Sequence, residues 1–218
     1  MKLIVLGAPG VGKGTQAKML AKHYGVPHIS TGAILREHMR QNTDIGVEIK
    51  HLMDSGCLVP DELIMGIVKK RVAEADCAEG YILDGYPRTI RQAEATEALL
   101  GKVNMVVSLT GSDGEIIKRI LGRRTCPNCH AMYHIDSNPP QKPDKCDKCD
   151  TTLVRRSDDE HATVLNRLDV YHKLTEPIVD FYNAQGNTIQ VDGLQEIDDV
   201  QNAIINALVK GTENVYRD

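Results

Sequence analysis

The chain has 218 residues, 41% apolar and 26% charged, with a net charge of −4. That is the profile of a folded globular protein with one substantial core plus insertions, or two small domains. A net negative chain with no Trp and one Phe (Phe181) excludes a sequence-independent nucleic-acid grip, which needs clustered positive charge and stacking rings. No apolar run approaches the ~18 residues of a membrane span, and the run Leu3–Leu6 is too short for a secretory leader. A cytoplasmic protein is expected, in which the paired Cys-x-x-Cys residues among the six cysteines serve metal ligation rather than disulfides.

In chain order, the first predicted strand is KLIVLG (2–7), followed by the glycine-rich GAPGVGKG, Gly7 to Gly14. A helix follows, with apolar or small residues at Ala17, Leu20, Ala21 and Tyr24 and a stop at Gly25. Further strands are predicted at 27–30, 81–84, 104–109 and 187–192. They are near-continuous apolar runs, as in strands covered on both faces. Thr89 with Gln92, and Ser112 with Glu115, have the spacing of capping boxes at helix starts. Strands alternating with helices predict a doubly wound α/β fold with a parallel sheet.

Strand, glycine-rich turn and helix are the setting of a phosphate-binding loop. Gly7, Gly10, Gly12 and Gly14 let backbone N–H groups turn onto phosphate oxygens, and Lys13 reaches the outer phosphates. The hydroxyl comes one place later than in the common pattern, at Thr15. Residues 125–150 differ from the rest in composition, with four cysteines and four of the nine prolines. Cys126-x2-Cys129 and Cys146-x2-Cys149, sixteen residues apart, have close to zinc-ribbon spacing. Four thiolates would close the shell of a structural Zn²⁺, with a disulfide pair or an iron–sulfur cluster as alternatives. His130 and His134 are possible stand-in ligands. Cys77 reads as a buried small residue and Cys57 as a thiol near a nucleotide base.

GAPGVGKGTQ (7–16), STGAILR (30–36), DGYPRT (84–89), GRRTCPNC (122–129), RRSDDEHATVLNRL (155–168) and VDG (191–193) occur in an order and spacing that resemble the adenylate kinases. These are the long-lid branch of the nucleoside monophosphate kinases. The resemblance runs through nearly the whole chain. It implies a five-stranded parallel core (1–29, 60–121 and 160–218), a helical monophosphate-binding segment (30–59) and a zinc-containing lid (122–159). It also implies reversible transfer of a phosphoryl group from MgATP to AMP, by a monomer with small nucleotides as its only partners.

Residue by residue, the resemblance places Gly10, Val11, Gly12, Lys13, Gly14 and Thr15 around the ATP phosphates. Arg119, Arg123, Met132, Tyr133 and Gln195 approach ATP from the lid and its surroundings. Thr31, Arg36, Cys57, Leu58, Val59, Gly85, Tyr86, Pro87, Arg88 and Gln92 belong to the AMP side, and Arg156 and Arg167 close over the transferring group. Lys13, Arg88, Arg123, Arg156 and Arg167 are the implied catalytic set. Arginine suits these places because its planar fork takes phosphate in bidentate fashion. Asp84, ending a buried strand, and Thr15 would support Mg²⁺, in part through water. Asp158 and Asp159 are expected to help close the lid on its partner arginines.

Gln92 has two competing uses, the Thr89 capping box and the adenine edge. Where the family usually has Thr-Gly-Asp, this chain has Thr31-Gly32-Ala33, which leaves Asp84 as the main acidic support for the metal. Arg40, Arg71, Arg91 and Arg217 are expected to be surface residues. Two other readings stay open: a kinase for a different monophosphate, and a zinc-containing nucleic-acid-binding regulator.

Overall fold

The computed structural model describes the backbone of residues 1–215 and the side chains of residues 1–210. All five predicted core strands form, each within a residue or so of its expected place. They are β1 (Lys2–Gly7), β2 (His28–Ser30), β3 (Tyr81–Asp84), β4 (Met105–Thr110) and, after two lid strands, β7 (Thr188–Asp192). The sheet is wholly parallel in the order β2-β3-β1-β4-β7.

Side chains alternate across each strand, so one sheet feeds two cores. Leu3 and Val5 join a cluster with Leu20, Ile116, Ile120, Val164, Leu168 and Ile204. These come from helices α1 (Lys13–Tyr24), α6 (Asp113–Gly122), α7 (His161–Val170) and α9 (Ile197–Val215). Ile4 and Leu6 face the other way, onto a cluster with Leu35, Ile49, Ile64, Ala93 and Ile178. Those belong to α2 (Thr31–Arg40), α3 (Asp44–Ser55), α4 (Asp61–Val72), α5 (Ile90–Leu100) and α8 (Pro177–Asn183). Among the described residues, no helix is long and apolar enough to cross a membrane.

β1 lies at the centre, with β3 and β2 on one side of it and β4 and β7 on the other, so the chain crosses over β1 between β3 and β4. Ligands of such sheets bind outside the carboxyl ends of the strands at that switch. The glycine-rich loop, Thr31 and the Asp84–Arg88 turn all leave strands at that end.

The expected capping boxes form only in part. Thr89 caps α5, its hydroxyl oxygen accepting from Gln92 N at 3.2 Å, but the Gln92 side chain turns to Arg88 N instead of closing the box. Ser112 precedes α6 without a side-chain cap, and the Glu115 carboxylate accepts from Lys118 at 2.7 Å instead of reaching back to the helix start. Between α7 and α8 the helix widens into a π turn at Tyr171–Thr175, which sequence reading did not foresee.

Residues 123–154 fold apart from the sheet. Strands β5 (Arg123–Thr125) and β6 (Met132–His134) pair antiparallel, and bridges Thr125–Val154 and Lys145–Thr152 close the module. Its own buried cluster is only Cys126, Tyr133, Cys146 and Leu153.

Candidate active site

The loop after β1 takes its shape from positions no side chain could occupy. Gly10 has φ 87°, and a Cβ there would stand 2.5 Å from Ile120. A Cβ on Gly14 would press on Asp84 Oδ2 at 3.3 Å, so glycine after Lys13 keeps that carboxylate beside the start of α1. Among the described residues, the N–H groups of Gly10, Gly12, Lys13 and Gly14 have no protein acceptor. Together with the positive end of α1 they form an anion cradle. Lys13 Nζ donates to the Gly7 and Ala8 carbonyls at 2.6 and 2.7 Å, folded back over its own loop.

Facing the loop is a cleft lined by Gly32, Arg36, Cys57, Gly85, Arg88, Asp158 and Arg167, with Lys13 on its wall. The cations that line it, Lys13, Arg36, Arg88 and Arg167, and the nearby Arg123 and Arg156 are unevenly neutralised. Arg123 grips the buried Asp159, its Nε at 2.9 Å from Oδ2. Arg167 holds Asp158 at 3.0 Å and Asp159 at 3.4 Å, while Arg36 reaches Asp158 only at 3.9 Å. Among the described residues, Arg88 and Arg156 have no carboxylate within ion-pair distance. Arg88 donates to the Gly85 carbonyl at 2.8 Å, and Arg156 to Thr125 Oγ1 at 3.1 Å and to Met132 Sδ at 3.6 Å.

Electrostatics follows from that arrangement. Burial, then the neighbouring Arg167, pulls Arg88 down to about 10. Burial, then Arg123 and Arg36, pulls Arg156 to about 9. Burial pulls Lys13 to about 7, against support from Asp84. Asp84, buried at the end of β3, stays below the usual carboxylate range; burial opposes this, but His28 at 3.3 Å and Lys13 outweigh it. A buried concentration of like charge is unstable by itself and favours a polyanion.

A measurable consequence concerns protons. The folded-state value of Lys13 lies below its ordinary 10.5, so between about 7 and 10.5 the unfolded chain holds the proton more firmly than the folded one. Its contribution to stability therefore rises with pH through that window. Phosphate oxygens reverse the balance, so ADP binding at about pH 8.5 is expected to take up close to one proton. Calorimetry in two buffers of different ionisation enthalpy measures this. Equal heats in both would contradict it.

A smaller cavity opens off the cleft, lined by Thr31, Leu35, Met53, Cys57, Leu58, Val59, Ile64, Arg88 and Gln92. Thr31 is tied to the Gly85 carbonyl at 2.7 Å. Tyr86 and Pro87 are buried behind the cleft, and the peptide bond between them is cis. Cys57 is exposed at the mouth, with Asn166 Nδ2 at 3.9 Å, and Cys77 is buried against Arg71.

The residues expected to border the donor base are more scattered. Arg119 donates both Nη groups to the Gly193 and Leu194 carbonyls at 2.7 and 2.8 Å, beside the exposed Gln195. Met132 is half-buried under Arg156. The Tyr133 ring is buried inside the lid, with the hydroxyl accepting from Asp147 N at 2.9 Å and lying 3.5 Å from Cys146 Sγ. The four-residue lid core needs that ring, so only the Tyr133 backbone is left for a nucleotide.

In the lid, the Sγ atoms of Cys126, Cys129, Cys146 and Cys149 all lie within 4.8 Å of one another. Cys126–Cys149 and Cys129–Cys146 approach to 3.4 Å. Disulfide sulfurs would be about 2 Å apart, whereas thiolates around one Zn²⁺ at ~2.3 Å lie roughly 3.8 Å apart. The set fits a tetrahedral metal. The two histidines do not join it: His130 is exposed, and His134 Nδ1 accepts from the backbone of Asp136 and Ser137 while its ring packs over Gly122.

Arg40 and Arg91 form surface ion pairs with Glu37 and Glu62, and Arg71 clamps Asp76. Arg217 lies outside the described residues.

A glycine-rich anion cradle facing an arginine-lined cleft, with an adjoining cavity and a four-cysteine lid, is what comparison with known proteins explains. The adenylate kinase family model matches residues 5–187. The chain belongs to the adenylate kinase family. It is 50% identical over 212 residues to the adenylate kinase of Citrifermentans bemidjiense, covering 95% of this chain and 99% of that one. The adenylate kinase of Methanosarcina barkeri is 49% identical, covering 96% and 99%, and that of Lachnospira eligens 49%, covering 95% and 100%. Similarity over almost the full length of both chains includes the loop, the cleft and the lid of this family member.

What sequence reading missed here is the set of supports: His28 on Asp84, Asp61 on Gln92, and Thr175, whose hydroxyl donates to the Arg88 carbonyl at 2.9 Å. None carries a motif, and only the fold brings them to the site.

Proposed function

We propose that this enzyme of the adenylate kinase family performs reversible phosphoryl transfer from MgATP to AMP, giving two ADP, with the residues named above in the following roles. The observation that carries this is the convergence of Lys13, Arg36, Arg88 and Arg167 on one cleft that has more cations than carboxylates to meet them. In such a transfer the protein's task is positioning and charge stabilisation, since the acceptor is already an anion.

The unfilled N–H groups from Gly10 to Gly14 hold the donor's phosphates, and Lys13 swings from the Gly7 and Ala8 carbonyls onto them. Arg88, braced on Gly85, and Arg36 take the monophosphate. Arg123 and Arg156 come down with the lid on the group in transit, which Arg167 meets from α7 of the core, and closure excludes water from it. The cavity beside Thr31, Leu58, Val59 and Gln92 takes the monophosphate's base. Arg119, its edges fixed on Gly193 and Leu194, leaves a guanidinium face for the donor base, beside Met132, the Tyr133 backbone and Gln195.

Asp84, buried and ionised beside Gly14, fits a magnesium site with Thr15, in part through water. Bound there, Mg²⁺ would neutralise phosphate charge during transfer. The four lid cysteines would hold a structural Zn²⁺ that takes no part in the reaction. The segment 30–59 and the lid 122–159 are read as the two moving parts on the core 1–29, 60–121 and 160–218. A monomer in the cytoplasm agrees with six cysteines in no disulfide.

A coupled assay of ADP formation with MgATP and AMP, CMP, UMP or GMP tests the reading. AMP-dependent turnover well above the other three is expected, and its absence would overturn the proposal.

A further inference from the structure

The Gln92 carboxamide is buried, and its two ends meet opposite kinds of partner. Oε1 accepts from Arg88 N–H at 2.8 Å, and Nε2 donates to Asp61 Oδ1 at 2.7 Å. Asp61 Oδ2 accepts from the Thr89 hydroxyl at 2.9 Å, and that hydroxyl oxygen in turn accepts from Gln92 N. Asp61 opens α4 and does not line the cavity.

A carboxylate can only accept and a backbone N–H can only donate. Turning the carboxamide over would set oxygen against carboxylate at one end and two donors against each other at the other. The orientation is therefore dictated by its partners. An amide has two N–H groups and two lone-pair directions, so after these bonds one of each remains. A 6-aminopurine offers an acceptor at N1 and a donor at its amino group, which match that N–H and that lone pair. A 6-oxopurine offers a donor at N1 and an acceptor at O6, and matches only the inverted amide.

We infer that Asp61 is the side chain that selects adenine over a 6-oxopurine in the monophosphate site, by fixing, together with the Arg88 N–H, which way the Gln92 carboxamide faces. Asp61 is a positioning residue acting through Gln92. This rests on the reading that the cavity at Gln92 holds the monophosphate's base.

The test compares kcat/KM for AMP and for IMP, at fixed MgATP, in the parent enzyme, Asp61→Asn, Gln92→Leu and Thr89→Val. An Asn at 61 can accept from Thr89 with its oxygen and donate to an inverted Gln92 with its amide, so that only the Arg88 N–H still opposes inversion. Asp61→Asn is thus expected to lower the AMP-over-IMP preference about tenfold, the cost of roughly one misplaced buried hydrogen bond. The change appears in KM for the monophosphate, with KM for ATP unmoved. A ratio of two substrates does not depend on the fraction of enzyme folded, so modest destabilisation cannot imitate it.

Thr89→Val keeps the carboxylate on Nε2 and is expected to keep the preference; a fall equal to that of Asp61→Asn would mean general loosening and overturn the inference. If Gln92→Leu raises KM for AMP while Asp61→Asn leaves the preference unchanged, the inference alone fails. If Gln92→Leu leaves KM for AMP unchanged, the placement of the base fails as well.

Discussion

Replacing Lys13 with Met is expected to reduce turnover by about 10²–10³-fold, the loss typical of one preorganised charge donor at the reacting group. The protein's melting temperature at neutral pH is expected not to fall. The two halves of that result have one cause. Lys13 sits where burial and Arg88, Arg167 and Arg123 all work against its charge, with Asp84 alone supporting it. Without nucleotide its ammonium can do no better than the Gly7 and Ala8 carbonyls. The charge costs the empty enzyme and is recovered only when phosphate arrives. Met has similar length and bulk without the charge, so the core around α1 stays filled. Stopped assays with thermal melts on the same preparations measure both quantities. A loss of turnover under tenfold, or a clearly lower melting temperature, would contradict this account of Lys13.

Removing the lid metal is expected to act on stability first. The lid's own buried cluster is four residues, two of them cysteines, far too little apolar burial to hold a fold of that size. A structural zinc contributes on the order of 10 kcal/mol to such a module. Chelation, or Cys146→Ser, should therefore lower the unfolding midpoint of the lid by about 10 °C or more. Limited proteolysis should cut first within 122–159 while the sheet stays intact, because the two core clusters draw nothing from the lid. Turnover should fall as the lid melts, since Arg123 and Arg156 stand at its roots. Weak monophosphate binding through Arg36 and Arg88 should survive. A demetallated protein that keeps its melting temperature would show that hydrogen bonds alone hold the lid.

Much of the site was legible because phosphate chemistry imposes local rules. A loop that must present its N–H groups needs glycine at fixed places, and GAPGVGKG has it. Metal thiolates come in Cys-x2-Cys pairs because one turn of chain must return the second sulfur to the same ion. The strands were legible because burial on both faces leaves mostly apolar residues in the inner ones, as in β1 and β3. Less legible was how side chains share partners. The Thr89–Gln92 spacing reads as a capping box, yet Arg88 N and Asp61 take the Gln92 side chain. Ser112 and Glu115 read the same way, yet Lys118 takes Glu115. Tyr133 reads as a position bordering the donor base, and nothing in its local sequence says that its ring fills the lid interior with Cys126, Cys146 and Leu153.

By itself, then, the sequence determined the order of strands and helices, the anion-binding loop and the metal-binding pairs, because each depends on residues within a few positions of one another. The tertiary structure alone decided which arginines are neutralised and which are left for phosphate. Asp158 and Asp159 lie beside Arg156 in the chain but pair with Arg123 and Arg167 in space. It also decided that Asp61 faces Gln92 across thirty-one positions of sequence. Charge and hydrogen-bond partnership depend on distance through the fold, and no periodicity along the chain records it.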